Sequence, residues 1–316
     1  MRIEGIRMEI LVGKETRAYL KKKGLPDRDL YELPESKLRF PDGAQYRLEV
    51  PTVNTAEAMR AVLETAEKYG VVINRIDETR GIMRHTDEEL EEYIQIAKDF
   101  KVELNLSVGP RAAYDLSPQR ATGTMEAGRI GYRLRGMEQV VRAVEDVKRA
   151  VELGCRGILV YDEGLLWLLN EMRKDGELPK DLSFKLSAHC GHGNPVSFKV
   201  LEMLGADSIN PVRDLTLPMI AAIRQAVKVP IDVHVDNPAS TGGMIRTYEA
   251  PEMVRVGAPI HLKTGNSVLE RHGMLTTKED GVKMAIQAVL VDRMIKRYYP
   301  EAVQSKKGAK GLAIPK

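Results

Sequence analysis

The chain is predicted to fold as an α/β protein, a single (β/α)8 TIM barrel with an N-terminal extension. Three observations predict it. Eight short apolar runs recur along the 316 residues, most of them end in polar residues on the C-terminal side, and helix-period segments lie between them. Alternating strands and helices imply parallel pairing through right-handed crossovers. In such a barrel the catalytic groups sit where the strands end.

Residues 1–44 read as an extension packed on the barrel, with a strand-like start at Met8–Val12 and a basic helix-like stretch around Leu20–Lys23. Leu38–Phe40, the turn Pro41-Asp42-Gly43-Ala44 and Tyr46–Val50 read as a hairpin, because Asp-Gly readily takes turn geometry. The eight strands are expected at Tyr46–Val50, Val71–Ile76, Val102–Ser107, Arg156–Asp162, Ser183–His189, Ala206–Asn210, Pro230–Asp236 and Pro259–Lys263. Helical periodicity is clear at Thr55–Lys68, Met137–Leu153 and Leu215–Val227. The barrel is therefore expected over 45–300. The connection Pro110–Gly136 has no apolar period, and a connection of that length leaving a strand's C-terminal end reads as a lid over the mouth. Residues 301–316, rich in Lys and Gly, read as a flexible basic tail.

Composition narrows the function classes. Hydrophobic residues at 43% and charged residues at 29% are those of a globular chain. A net charge of +3 gives no argument for a nucleic-acid partner. No apolar run reaches 18 residues, so no membrane partner is expected. The start MRIEGIRMEI lacks a long apolar core, and the two cysteines, Cys155 and Cys190, read as reduced thiols, which together point to the cytoplasm.

Candidate chemistry gathers at the strand ends. On the seventh strand Asp232, His234 and Asp236 share one face while Ile231, Val233 and Val235 take the other, so the polar face points into the barrel. Ionisable groups placed there are costly unless paired, hydrated or bound to metal. The fifth strand carries Lys185, Ser187 and His189 on one face, followed by Cys190-Gly191-His192-Gly193-Asn194. His189 and His234 come from alternate strands, which supply the same barrel layer. With Asp236 they form a candidate two-His, one-carboxylate site for a divalent metal, alongside a metal-free acid–base pair. Glu49 on the first strand and Lys263 on the eighth are neighbours across the closing seam. Lys263 reads either as a Schiff-base lysine or, more simply, as the ion-pair partner of Glu49. Arg111, Arg120, Arg129, Arg133 and Arg135 crowd the lid segment, and guanidinium groups suit carboxylate or phosphate. Arg111, Arg120 and Arg135, with Asn194 and Asn266, are the candidate groups for binding a small anionic molecule. A homo-oligomer is expected, the basic tail being one candidate for a subunit contact.

Two further segments carry a resemblance. They are Leu159-Val160-Tyr161-Asp162-Glu163-Gly164-Leu165-Leu166, followed by Ser187 and Asn194, and Leu204-Gly205-Ala206-Asp207-Ser208-Ile209-Asn210-Pro211-Val212-Arg213-Asp214-Leu215-Thr216-Leu217. Over about 60 residues this order resembles the peptidase U32 family, a collagenase-like protease family. The resemblance implies a barrel and an enzyme labelled as a peptidase, hydrolase or lyase in class. It also implies an alternative, a non-catalytic subunit of a heteromeric complex, because some relatives work as heteromers. Many members carry a cysteine cluster for an iron–sulfur centre. Two cysteines do not supply four thiolates, so no iron–sulfur cluster is expected here.

Overall fold

A computed structural model describes residues 12–115 and 130–316. Among them, eight parallel strands close into a barrel in sequence order, so the predicted TIM-barrel class is the observed one. The strands are β1 (Tyr46–Val50), β2 (Arg75–Asp77), β3 (Glu103–Ser107), β4 (Gly157–Val160), β5 (Ser183–Leu186), β6 (Ser208–Ile209), β7 (Ile231–His234) and β8 (Ile260–Lys263). The helices are α1 (Lys14–Lys22), α2 (Ala56–Lys68), α3 (Asp87–Phe100), α4 (Gly136–Glu152), α5 (Glu163–Asp175), α6 (Pro195–Met203), α7 (Leu217–Ala226), α8 (Ala250–Gly257) and α9 (Lys278–Tyr298). Several begin at side-chain caps that satisfy the free amides of the first turn. Thr86 and Thr277 form capping boxes with Glu89 and Asp280, and Asp162 accepts from the Leu165 amide.

Strands are shorter than the apolar runs. The fifth ends at Leu186 and the seventh at His234, so His189 and Asp236 lie on the turns beyond. The outward side chains Leu48, Ile76, Leu104, Leu106, Ile158, Phe184, Ile209, Ile231, Val233, Ile260 and Leu262 are fully buried against the helix ring. The inward side is polar, which is unusual for a barrel whose interior normally stacks branched apolar residues. Arg47, Glu49, Arg75, Glu103, Lys185, Asp232 and His261 are all buried. Register places Glu49 beside both Arg75 and Lys263, and Asp232 beside His261.

Two expectations for the chain ends are corrected. The turn at residues 40–44 forms, with the Phe40 amide donating to Ala44 O at 2.9 Å, but residues 38–40 form no strand. Strand β1 already has β2 and β8 on its two edges, leaving no edge for an antiparallel partner. Phe40 instead meets the His261 ring edge-on at 5.1 Å and lies under the Arg47 guanidinium at 4.0 Å. The other correction is the tail, which is docked rather than flexible. Arg47 donates to Ser305 Oγ, Lys310 O and Gly311 O, each at 3.0 Å. The Ala313 amide reaches Glu103 at 3.2 Å and the Lys316 amide reaches Gly154 O at 2.9 Å. A buried guanidinium needs acceptors, and the tail backbone supplies them. We expect Arg47→Met to cost about 1.5–3 kcal/mol, as loss of hydrogen bonds to a charged group does. The pair Lys306→Ala and Lys310→Ala, both exposed, should stay within about 0.5 kcal/mol. Guanidinium unfolding midpoints of the three proteins check this, and equal losses would show that only the side chains of the tail matter.

Candidate active site

The barrel interior is one connected ion network. Lys185 and Lys263, buried on β5 and β8, both reach the same Glu49 oxygen and the same Asp77 oxygen; the Asp77 distances are 2.7 and 2.8 Å. The predicted Glu49–Lys263 pair across the seam is present as part of this set. Below it, Arg75 bonds Glu49 at 3.2 Å, Asp232 at 3.1 Å and Glu103 at 2.5 Å. Ser208 and His261 add contacts to Asp232, each at 2.8 Å. Arg47, Arg75, Lys185 and Lys263 thus face Glu49, Asp77, Glu103 and Asp232, four cations against four carboxylates. Burial, then the charge of Asp77, push the Glu49 carboxyl up to about 7. Burial pulls Asp77 upward too, but Lys185 and Lys263 outweigh it and hold Asp77 well below the usual carboxylate range. Burial depresses Lys185, whereas Asp77 and Glu49 overcome burial and raise Lys263.

Above this network, at the C-terminal mouth, lies a narrow cavity of about 20 Å3. It is lined by Pro51, Asp77, Thr79, Leu159, Tyr161, Ser187, Ala188, His189, Asn210, Arg213, His234, Lys263, Asn266 and His272. Two cations, Arg213 and Lys263, and one carboxylate, Asp77, face it. The Arg213 guanidinium lies 3.2 Å from His189 Nε2 and, among the described residues, makes no ion pair with a carboxylate. Burial, then Arg213, push His272 down to about 3, and burial, then His272 and Arg213, hold His189 well below its usual value. His234 is depressed by burial and Lys263. The imidazoles are therefore neutral near pH 7. Among the described residues, Arg213 Nε, His234 Nδ1, His272 Nε2 and Asn266 Oδ1 are buried polar atoms here without a hydrogen-bond partner. Tyr132, from the segment after β3, stacks on His189, a lining residue, at 3.9 Å and 13°.

The candidate residues divide. Glu49, His189, His234, Lys263 and Asn266 lie at or directly beneath the cavity. Asp236 does not join a metal triad with His189 and His234. Its carboxylate accepts from the Gly265 amide at 2.9 Å, the Asn266 amide at 3.2 Å and Ser267 Oγ at 2.6 Å, fixing the loop after β8. Gly265 has φ +106, a conformation that lets its amide and the next turn toward Asp236. Among the described residues the one carboxylate–imidazole set close enough to hold a cation is Glu49, Asp232 and His261. Arg75 Nη1 already bridges Glu49 and Asp232, so a guanidinium occupies the position a metal would need.

The predicted anion-binding groups are mostly corrected. Arg111 is buried and spends its donors on the carbonyls of Gly109, Thr79, Arg80 and Val108, with its guanidinium over the rings of Tyr114, Tyr132 and Tyr161. It holds these rings and backbone carbonyls and is not among the cavity-lining residues. Arg133 pairs with Glu163. Arg135 stands at the N-terminus of α4, outside the cavity lining. Arg120 and Arg129 lie outside the described residues. Asn194 is the cap of α6, accepting from Val196 and Ser197 at 3.0 and 2.9 Å, which uses its carbonyl. Cys190 is a buried thiol pushed up to about 12 by burial and is no ready nucleophile. Arg213 and His272 are functional candidates that the strand-end pattern misses, because both stand on loops after β6 and β8. The Gly205–Thr216 segment held the one signal for Arg213.

No protein-family model matches the chain, and no curated protein matches it. Solved structures resemble it. A native KDPGal structure is 12% identical with a TM-score of 0.47, covering 85% of this chain and 98% of that one. A U32 peptidase is 14% identical with a TM-score of 0.43, covering 71% and 95%. The truncated 3-deoxy-D-arabino-heptulosonate 7-phosphate synthase from Thermotoga maritima is 12% identical with a TM-score of 0.46, covering 86% and 95%. At these identities the likeness is one of barrel fold alone.

Proposed function

We propose that this protein is an enzyme of U32-like ancestry, a hydrolase or lyase in class, that acts on a small anionic molecule at the C-terminal mouth. One observation carries the reading. Among the described residues, an arginine without a carboxylate partner, three neutral imidazoles and polar atoms without hydrogen-bond partners line one small cavity. Arg213 is suited to hold a carboxylate or phosphate, as guanidinium groups do. Neutral His189 and His272 are suited to hydrogen-bond the bound molecule, and Glu49, raised to about 7 directly beneath the cavity, to exchange a proton. The metal-free acid–base form is favoured over the metal-assisted one because Arg75 bridges the closest carboxylate set. The Leu204–Leu217 resemblance supports the ancestry, since Arg213 of that segment lines the cavity.

The test is thermal. Small carboxylates and inorganic phosphate should raise the melting temperature of the wild type, since a ligand of the native state stabilises it. The amides of the same carboxylates should not. Arg213→Ala should weaken the effect by ten- to a hundredfold in concentration, the equivalent of about 1.5–3 kcal/mol. Equal stabilisation of wild type and Arg213→Ala would remove the anionic substrate.

A further inference from the structure

We propose that the outer face of α5 and α6 pairs with a second copy of this chain, α6 lying antiparallel to α6 about a two-fold axis. Three observations carry it. First, α6 is apolar on both sides. Phe198 and Leu201 are buried against the barrel, while Val196, Val200 and Met203, at positions i, i+4 and i+7, form a second stripe that is 48, 49 and 72% exposed. An outer helix normally turns a polar face to water, and a helix that is apolar all round is a covered one.

Second, the patch continues onto the neighbouring helix. α5 and α6 follow the paired strands β4 and β5, and Asn170 of α5 lies so close to Gly205, just past the end of α6, that an added Cβ there would overlap it. Trp167 stands one turn before Asn170, hence on the α6 side of α5, and is 51% exposed. It is the one tryptophan of the chain. Trp and Met are enriched at the cores of protein interfaces, where Lys and Glu are depleted.

Third, the charges beside the patch select the occupant. They come as opposite pairs one turn apart, Lys199–Glu202 on α6 and Glu171–Lys174 on α5, each at 2.7 Å. A face of one sign would suit a foreign partner of the other sign and would repel its own copy. These pairs leave no net charge. When the two-fold axis passes between Lys199 and Glu202, each Lys199 comes beside the partner's Glu202, and the apolar stripes of the two copies face one another. The basic tail is not this surface, because its backbone is docked on its own barrel.

Sedimentation velocity of the intact protein over a concentration series tests the pairing. The wild type should pass from a 35.3 kDa monomer to twice that mass as concentration rises. Trp167 emission should move to shorter wavelength over the same range, because the ring leaves water. Val200→Glu sets like charges near the axis and should raise the dissociation constant roughly thirtyfold or more, the change expected of a central interface residue. Leu290→Glu, the same change at a similarly exposed residue of α9, should dissociate like the wild type. Circular dichroism matching the wild type shows that both variants fold. A wild type that stays monomeric, with the emission of a water-exposed indole, overturns the second copy and leaves the face to a different protein. A dimer that survives Val200→Glu, that forms without moving the Trp167 emission, or that is lost equally in Leu290→Glu overturns this face as the contact.

Discussion

Arg75→Met should lower the stability of the folded protein by about 3–5 kcal/mol, the loss expected when one partner of a buried charge set is removed and its counter-charges remain. The guanidinium is buried and bonds Glu49, Glu103, Asp232 and Ser208 at once. Without it three carboxylates stand in the barrel with only Lys185, Lys263, Arg47 and His261 to compensate. An apolar replacement of similar length fills the volume but restores no charge. Urea unfolding followed by circular dichroism measures the loss. The double variant Arg75→Met with Glu103→Gln should recover part of it, because one of the stranded charges is then gone. A single variant as stable as wild type would show that the interior network contributes nothing to folding.

Acidification should destabilise the protein steeply below pH 6.5. His261 is fully buried and pushed down to about 3 by burial and by Arg75, and His234 is held well below its usual value. His189 and His272 are depressed as well. The sign follows from linkage. A histidine of depressed folded pKa binds its proton in the unfolded chain first, so its contribution is complete above the unfolded value near 6.5 and falls as pH drops towards the folded one. Each such group costs about 1.4 kcal/mol per pH unit across that window. Glu49, raised to about 7, works the other way, as do His85, raised by Glu78 despite burial, and Asp146, raised to about 6 by burial. Asp207 and Asp236, raised by burial, act in the same sense, and His192 is depressed by burial like the other four histidines. Below pH 6.5 the His85 contribution is already complete, so five depressed histidines stand against four raised carboxyls and the net slope is downward. Denaturant midpoints at pH 7.5, 6.0 and 5.0 check it. A midpoint that holds steady or rises over this range would mean that the imidazoles are not held neutral by the fold.

Much of this was legible in residue order, and the rest fails for identifiable reasons. The inward face of Asp232 and His234 follows from the two-residue period of a strand, and the Glu49–Lys263 pairing follows from closure of the first strand on the eighth. His189 and Asp236 were misplaced because apolar runs overshoot the hydrogen-bonded strands. Both sit on turns, where alternation no longer says which way a side chain points. Arg213 and His272 reach the cavity from loops, and loop position is set by tertiary closure rather than by any period. The arginines of 110–136 are a composition signal, and composition does not reveal that Arg111 spends its donors on backbone carbonyls. The tail misled in the same way. Lysine and glycine describe its side chains, while it is the backbone of Lys310 and Gly311 that docks onto Arg47.

The site itself is tested most directly by nuclear magnetic resonance of the histidine side chains. The chain has six histidines, which separate into resolved imidazole signals. At pH 6 the signals of His189, His234 and His272 should be those of neutral rings. Pyruvate, or inorganic phosphate as the simpler anion, should move His189 and His272, which adjoin Arg213, and leave His85 unmoved, since His85 is bound to Glu78 away from the cavity. Signals of His189 and His272 that are protonated at pH 6, or that stay fixed while either anion saturates the protein, would contradict an anion site at the mouth of this barrel.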